Sequence, residues 1–160
     1  MIDDIKKWVE EFVSVHNETL GTVPCPFAKQ ALLKDTIKYI QTERVGETLR
    51  SMIENWNDKY EVVCIYCDTM LYTPSEVSEI VNRFNEFAMK HDIVALEDHP
   101  LDDEYVNGVR MNFGKAILIL VQRLSKLNKA SAMLKKQGYY DNWPEENYAD
   151  VVEWRFTENK

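Results

Sequence analysis

Apolar residues recur every three to four positions at the start of the chain, which is the spacing of an amphipathic helix. The pattern predicts a helix over residues 3–18, with an apolar face formed by Ile5, Trp8, Val9, Phe12, Val13 and His16. A second helix is expected within TVPCPFAKQALLKD, residues 22–35. We place its first residue at Pro26, because proline suits the first turn of a helix. This start makes Cys25 the N-cap residue.

The remainder of the chain alternates short apolar runs with longer helical periods. Residues 36–58 predict one strand and one helix, at 37–41 and 45–58. Beyond them the predicted order is strand, helix, strand, strand, helix, strand, with these elements at 61–66, 73–91, 93–98, 115–123, 125–137 and 151–156. The helix at 73 opens with the capping sequence Thr73-Pro74-Ser75-Glu76.

The order from residue 59 onward is βαββαβ, which predicts an α+β fold of the ferredoxin-like, two-layer sandwich type. Its first and third strands are central, and here EVVCIY and KAILILVQR are the most continuously apolar runs. VVEWRF alternates as an edge strand does, with Glu153 and Arg155 on the polar face, and strand 37–41 would extend or flank the sheet. We expect one domain over 1–160, made of N-terminal helices with the CPFA turn (1–35), an extra βα unit (36–58) and the ferredoxin-like core (59–160).

The net charge of the chain argues against some classes of binding partner. The chain has 27 acidic and 19 basic residues and a formal net charge of -8. Without a basic surface to neutralise phosphates, nucleic acid and anionic membranes are not expected partners. The first residues, MIDDIKKWVEEF, contain no apolar run of spanning length and no small-residue cleavage site, which favours a cytoplasmic location. In that compartment the three cysteines are expected to stay reduced.

Cys25 is the first candidate for chemistry. A sulfur at a helix N-cap faces unpaired main-chain N–H groups and the positive end of the helix dipole, and both favour the thiolate. The sequence therefore predicts a reactive thiol at Cys25. The alternative is structural: cysteine is a small and commonly buried residue, and the two flanking prolines would then only shape a turn.

Cys64 and Cys67 form a CxxC pair inside a predicted strand. Residues i and i+3 of a strand point to opposite faces, so the two thiols cannot bridge. A zinc site would need a second ligand pair, and none is visible in the sequence. We expect Cys64 to pack in the core.

A histidine and five carboxylates gather at the end of the predicted strand 93–98, in the segment EDHPLDDE, residues 97–104. His99 could act as a base beside Cys25, oriented by Asp98 or Asp102, as in cysteine–histidine sites. The same residues could ligate a metal, but their spacing is specific to no metal and we assign no ligand. A solvated acidic loop is the alternative without chemistry.

Two arginines and an aromatic loop are further candidates for binding. Arg123 ends a central predicted strand and Arg110 lies in the loop before it, where either could hold a substrate carboxylate or phosphate. In so acidic a protein each is at least as well suited to a surface ion pair. The segment YYDNWPEENY, residues 139–148, has enough aromatic surface to line a pocket or a protein contact, or it could pack as an ordered loop.

Several of these features occur in the order seen in a known family. A tryptophan in the first helix, CPFA, a helix with Phe-x-x-Phe, His-Pro at a strand end and a late strand followed by a helix resemble the DUF1415 family of uncharacterised bacterial proteins. The matching residues here are Trp8, Cys25-Pro26-Phe27-Ala28, Phe84, Phe87, His99-Pro100, Asn107, Arg110 and 119–131. The family has no assigned reaction. The resemblance implies that Cys25 and His99 belong to one feature, and it places Asn107 among the substrate-binding candidates. CPFA alone also resembles the active-site turn of omega-class glutathione transferases and glutaredoxins, although no strand precedes it here.

Two functions fit the sequence. The first is a thiol-dependent enzyme for an unidentified small molecule, with Cys25 as nucleophile or redox centre, His99 as base and an arginine binding an anionic group. The second is a non-catalytic ferredoxin-like module, whose exposed aromatic residues and acidic surface bind a partner protein or a second copy of the chain. The substrate and any cofactor cannot be named from the sequence.

Overall fold

A mixed four-stranded sheet with helices packed on it forms the centre of the computed structural model, which describes residues 1–157. The strands are β1 (Ile37–Gln41), β2 (Val62–Cys67), β3 (Ile93–Asp98), the short hairpin of β4 (Tyr105–Val106) and β5 (Val109–Arg110), and β6 (Ile117–Arg123). The order across the main sheet is β1-β2-β6-β3. β1 is parallel to β2, and β6 is antiparallel to both β2 and β3. The fold class is α+β, as predicted.

Helices account for most of the remaining chain. They are α1 (Ile2–Trp8) with a π-helical continuation (Val9–Val13), α2 (Ala28–Leu33), α3 (Val45–Asn55), α4 (Pro74–Ala88), α5 (Leu124–Lys136), α6 (Glu145–Tyr148) with a π-helical continuation (Ala149–Glu153), and α7 (Trp154–Thr157). Short 3-10 turns lie at Thr69–Leu71 and Met89–His91. The predicted capping box of α4 is confirmed: the Thr73 hydroxyl accepts from the Glu76 N–H at 3.2 Å, and the Glu76 carboxylate accepts from the Thr73 N–H at 3.0 Å.

Apolar side chains cover both faces of the sheet. On one face α3 and α4 pack Leu49 and Val81 against residues of β2 and β6 such as Ile65. On the other face α1 and the segment before β6 provide a smaller cluster that includes Cys64. Cys64 and Cys67 are both buried and lie in different clusters, so their predicted placement on opposite faces is confirmed.

The strand order agrees with the ferredoxin-like prediction in part. β2 and β6 are the two central strands, as predicted, and β1 extends the sheet at its edge. A fourth ferredoxin-like strand would follow β6 through a helix and would therefore run antiparallel to β2. That position beside β2 is occupied by β1, which is parallel to β2 and precedes it in the chain. The ferredoxin-like topology is therefore not confirmed.

The predicted strand VVEWRF is wrong, because residues 151–156 are helical. Val152 and Arg155 are 1% and 2% exposed, and a spacing of three residues places them on one helical face. The Arg155 guanidinium, expected on the polar face of an edge strand, is buried and donates to Val151 O at 3.1 Å and to the side chains of Asn128 and Ser131 at 3.2 and 3.0 Å. The bonds to Asn128 and Ser131 connect the C-terminal helices to α5.

Candidate functional site

The thiol of Cys25 is not at a helix N-cap, so this sequence prediction is wrong. The first helix ends at Val13 instead of reaching residue 18, and α2 begins at Ala28 with Phe27 as its N-cap. Cys25 lies in the turn before α2, where its N–H donates to Val13 O at 2.9 Å. Burial raises the pKa of the Cys25 thiol, and the N–H groups of Phe27 and Ala28 only partly oppose this effect. Main-chain N–H groups do act on the sulfur, as the prediction supposed, but burial outweighs them and disfavours the thiolate.

An aromatic cluster covers the loop that carries Cys25. The Tyr139 hydroxyl lies 2.6 Å from Val23 O and 2.7 Å from Pro24 O, so its single proton is shared between two successive carbonyls. Around Tyr139 the loop 139–148 forms edge and tilted ring contacts among Tyr139, Tyr140, Trp143 and Tyr148. The predicted aromatic loop thus contacts the segment that leads into the CPFA turn. This contact joins segments that are far apart in the chain, so no local sequence pattern predicts it.

His99 is held by main-chain groups at both ring nitrogens. Its Nδ1 accepts from the Leu101 N–H at 3.1 Å, so the proton lies on Nε2, which donates to Tyr72 O at 2.7 Å. The side chain is buried, at 3% exposure. A general base needs an available lone pair, and in this arrangement His99 has none. No hydrogen bond joins His99 to Cys25 in the described part of the chain.

Asn112, which the sequence did not single out, organises the acidic loop. Its side-chain N–H groups contact Asp98 Oδ1 at 2.8 Å and the main-chain oxygens of His99 and Asp102, both at 3.1 Å. Its Oδ1 accepts from the Glu104 N–H at 2.8 Å. Asp98 also accepts from a main-chain N–H, that of Phe113 at 2.9 Å. An amide that both donates and accepts is suited to close such a loop, but only the fold shows which amide does so.

The three predicted substrate-binding side chains contact protein groups. Arg110 donates to Pro100 O at 2.8 Å and lies 3.2 Å from an Asp103 carboxylate oxygen. Arg123 contacts Asp58 Oδ1 at 3.0 Å, and the Asn107 amide donates to Asn142 O at 3.0 Å.

The structure does not gather these side chains into one site. In the β3–β6 register Arg123 is opposite Ile93, whereas Asp98 is opposite Leu118. Arg123 therefore lies at the other end of the sheet from the acidic loop.

An acidic cleft of about 850 Å³ lies beside β3. Its walls are α4, the loop that follows β3 and the C-terminal helices. Its carboxylates are Glu97, Asp98, Asp102, Asp103, Glu104 and Asp150, and its aromatic side chains are Trp8, Tyr105 and Trp154. We call this set of residues the acidic cleft. No lysine or arginine of the described chain lines it.

The carboxylates of the acidic cleft are crowded and partly desolvated. Burial raises the pKa of Glu97, Asp98 and Glu104. The pKa of Glu104 is raised further by the negative charges of Asp98, Asp102, Asp150 and Glu97. A hydrogen bond from Ser78 partly offsets the shift at Glu97, and bonds from Phe113 and Asn112 partly offset the shift at Asp98.

The carboxylates of the acidic cleft are not arranged as a metal site in the described part of the chain. Within residues 1–157, no three His, Cys, Asp or Glu side chains are arranged to hold one. The cleft instead concentrates negative potential over a surface that could contact several positive groups at once.

Comparison with known proteins identifies no relative: no family model, no curated protein and no solved structure matches the chain. The resemblance to the DUF1415 family therefore stays a prediction. None of the helices in residues 1–157 has the length and apolar character needed to cross a membrane.

Proposed function

We propose that the protein is a non-catalytic binding module whose acidic cleft takes a lysine- or arginine-bearing segment of a partner protein. The observation that carries this proposal is the composition of the cleft, which is lined by six carboxylates and no basic side chain of the described chain. Of the six, only Asp103 forms an ion pair within residues 1–157, with Arg110 at 3.2 Å. A cleft walled by low-dielectric protein and lined by one sign of charge focuses its field on a ligand of the opposite sign.

The partial burial of the cleft carboxylates also favours a cationic ligand. The raised pKa values of Glu97, Asp98 and Glu104 mean that their ionised forms are disfavoured while the cleft holds no cation. A bound ammonium or guanidinium group would stabilise those carboxylates, and each such contact would be a charge-assisted hydrogen bond. Asp102, Glu104 and Asp150 have no side-chain hydrogen bond or ion pair in the described chain, so their oxygens are available to a ligand.

The aromatic members of the cleft suit the same ligand. Tyr105 is 50% exposed, and Trp8 also lines the cleft. Aromatic faces attract lysine and arginine heads and also pack against their aliphatic stems. The volume of the cleft, about 850 Å³, also fits such a ligand, because it is in the range of sites that take several side chains or a small ligand.

The geometry gives less support to the thiol-dependent enzyme. Burial disfavours the Cys25 thiolate, and both nitrogens of the proposed base His99 contact main-chain groups. Asp98 accepts a hydrogen bond from the Asn112 amide, and Arg110 donates one to Pro100 O. All of the side chains proposed for catalysis or substrate binding except that of Asp102 therefore already contact other protein groups.

A titration with charged peptides tests the proposal. A hexapeptide of alternating lysine and arginine, with both ends blocked, is titrated into the full chain by calorimetry, beside a hexaglutamate control. Binding of the basic peptide is expected, weakening as salt rises. The variant Asp102→Asn/Glu104→Gln/Asp150→Asn is expected to weaken it about tenfold, since three charge contacts of roughly 0.5 kcal/mol each are lost.

A matched variant removes the same charge elsewhere. Glu11→Gln/Glu18→Gln/Glu54→Gln neutralises three exposed carboxylates outside the cleft and is expected to bind the peptide nearly as wild type does. Equal weakening in the two triple variants would mean that only net charge matters and would overturn the assignment to the cleft. Absence of binding at low salt would overturn the proposed function itself.

A further inference from the structure

The two edges of the main sheet differ in how their outward main-chain groups are satisfied. At the β3 edge, the buried Asn85 amide bonds both the N–H and the C=O of Ala95. At the β1 edge, Thr36 O and Thr42 N form hydrogen bonds to β2. The main-chain N–H and C=O groups of the even-numbered residues therefore point toward β2, and those of residues 37, 39 and 41 point outward. No hydrogen bond within residues 1–157 reaches the outward N–H and C=O groups of those three residues.

The devices that usually protect an edge strand are missing from β1. Its sequence IKYIQ has no proline, and its strand is a regular five-residue run. Lys38 is the one charged side chain on it, and its ammonium group lies 5.7 Å from the centre of the Tyr60 ring, back over its own chain. Lys38 therefore does not block the pairing of another strand with β1.

We infer that β1 is a self-association edge, at which β1 of a second copy of this chain adds antiparallel to form one continuous eight-stranded sheet. The three outward residues are symmetric about Tyr39. A twofold axis through Tyr39 places Ile37 opposite Gln41 of the second copy and Tyr39 opposite Tyr39. Each of these pairs joins outward-facing residues, so each exchanges both main-chain hydrogen bonds.

The surroundings of β1 favour a second copy over a strongly charged partner. A groove of about 590 Å³ runs beside the strand, with Ile37 and Tyr39 among its lining residues. Lys6 and Lys29 there balance Glu10 and Asp35, so the groove has no net charge although the chain carries -8. Two copies can approach through this region with little repulsion, while the acidic cleft lies beside the opposite edge strand, β3.

Exposed apolar side chains in the groove beside β1 also favour self-association. Leu33 and Val15 line the groove and are 69% and 44% exposed. Strand pairing at β1 would bring Ile37 and Tyr39 of the second copy alongside this groove, extending the apolar surface of one chain with that of the other. This inference does not depend on the acidic cleft or on its proposed ligand.

Sedimentation equilibrium of the full chain over a wide concentration range tests the inference, and a monomer–dimer equilibrium is expected. Gln41→Pro removes an outward N–H that the monomer does not use, and it is expected to raise the dimer dissociation constant at least about tenfold. Gln41→Ala keeps that N–H and is the matched control, expected to dimerise as wild type does. A monomer at every concentration, or equal dimerisation of the proline and alanine variants, would overturn the inference.

Cross-linking decides the register even if the proline variant fails to fold. In the twofold arrangement the two copies of residue 38 are diagonal neighbours at about 7–8 Å. In a Cys25→Ser background, Lys38→Cys should form covalent dimers with a short bismaleimide. Lys90→Cys, at an exposed position in the 3-10 turn that follows α4, should not. Equal cross-linking at the two positions, or none at residue 38, would contradict this register.

Discussion

The side-chain amide of Asn85 takes the place of a neighbouring strand for Ala95. Its Nδ2 donates to Ala95 O at 3.0 Å and its Oδ1 accepts from Ala95 N at 2.8 Å. Both residues are buried, with exposures of 6% and 1%. A helix side chain thereby satisfies the outer edge of β3 at Ala95, where a buried N–H and a buried C=O would otherwise be unpaired.

Replacing Asn85 by alanine should therefore be costly. Asn85→Ala leaves a buried N–H and a buried C=O unpaired, and we expect the free energy of unfolding to fall by about 2–4 kcal/mol. Urea denaturation followed by circular dichroism measures it. Asn82→Ala is the control in the same helix, because Asn82 is exposed, and it should change stability by less than about 0.5 kcal/mol. Similar small effects at both positions would show that the edge does not need the amide.

Tyr39 presents the opposite case, a buried hydroxyl with no hydrogen-bond partner in the described chain. Burial also raises its pKa to about 12. Since an unpaired buried hydroxyl is unfavourable, Tyr39→Phe should leave stability unchanged or raise it by up to about 1–2 kcal/mol.

Tyr72→Phe is the matched comparison for that substitution. The Tyr72 hydroxyl donates to Glu43 O at 2.8 Å and accepts from Val45 N at 3.3 Å. We expect its loss to cost about 1 kcal/mol in the same denaturation experiment. A larger loss at Tyr39 than at Tyr72 would contradict the assignment of an unpaired hydroxyl.

Stability should depend on pH through Glu104 in an unusual direction. Its folded-state pKa is raised, so the folded protein binds this proton more readily than the unfolded chain does. As pH rises from the ordinary glutamate pKa through the folded value, the free energy of unfolding therefore falls. Glu104→Gln abolishes that loss and should gain stability relative to wild type as pH rises above the ordinary glutamate pKa of about 4.3.

Glu76→Gln should change the pH profile in the opposite sense. The capping-box hydrogen bonds lower the pKa of Glu76, so its charge contributes stability above the ordinary glutamate pKa, and that stability is lost as pH falls through the folded value. The variant should therefore be less stable than wild type near neutral pH. Unfolding curves at a series of pH values measure both variants. Profiles of the same sign for the two would show that the charges around Glu104 do not act as argued.

Cys25 should react slowly in the folded protein. Its raised pKa leaves less thiolate at pH 7.5 than an ordinary thiol has, and we expect iodoacetamide to label native Cys25 at least about tenfold more slowly than the urea-unfolded chain. Mass spectrometry locates the label, and Cys25→Ser identifies the labelled site. The buried Cys64 and Cys67 have pKa values raised to about 12 and about 11 and should be slower still. Native labelling of Cys25 faster than in the unfolded chain would favour the thiol-dependent enzyme.

Long periodic patterns in the sequence were enough to predict most of the elements. The capping box of α4, the central positions of β2 and β6, and the opposite faces of Cys64 and Cys67 all follow from residue spacing. These features depend on neighbours in the chain or on continuous apolar runs, which reflect local geometry and burial directly.

The conformation and contacts of short or polar segments could not be predicted from the sequence, because they depend on tertiary structure. Six residues of VVEWRF fit both a strand and a helix, and the contacts of Arg155 with Asn128 and Ser131 accompany the helical form. The predicted cysteine–histidine feature depended on two distant segments meeting. Instead, His99 contacts Tyr72 O and the Cys25 loop contacts Tyr139.

The sequence by itself determined the α+β class, the apolar centre of the sheet and the acidic character of the loop after β3, because each is a property of composition and spacing along the chain. Only the tertiary structure decided that β1 is an open edge, that Asn85 bonds Ala95 at the other edge, and that Asp150 joins the carboxylates of the acidic cleft. Those arrangements are contacts between residues far apart in the chain, and no local spacing specifies which distant groups will meet.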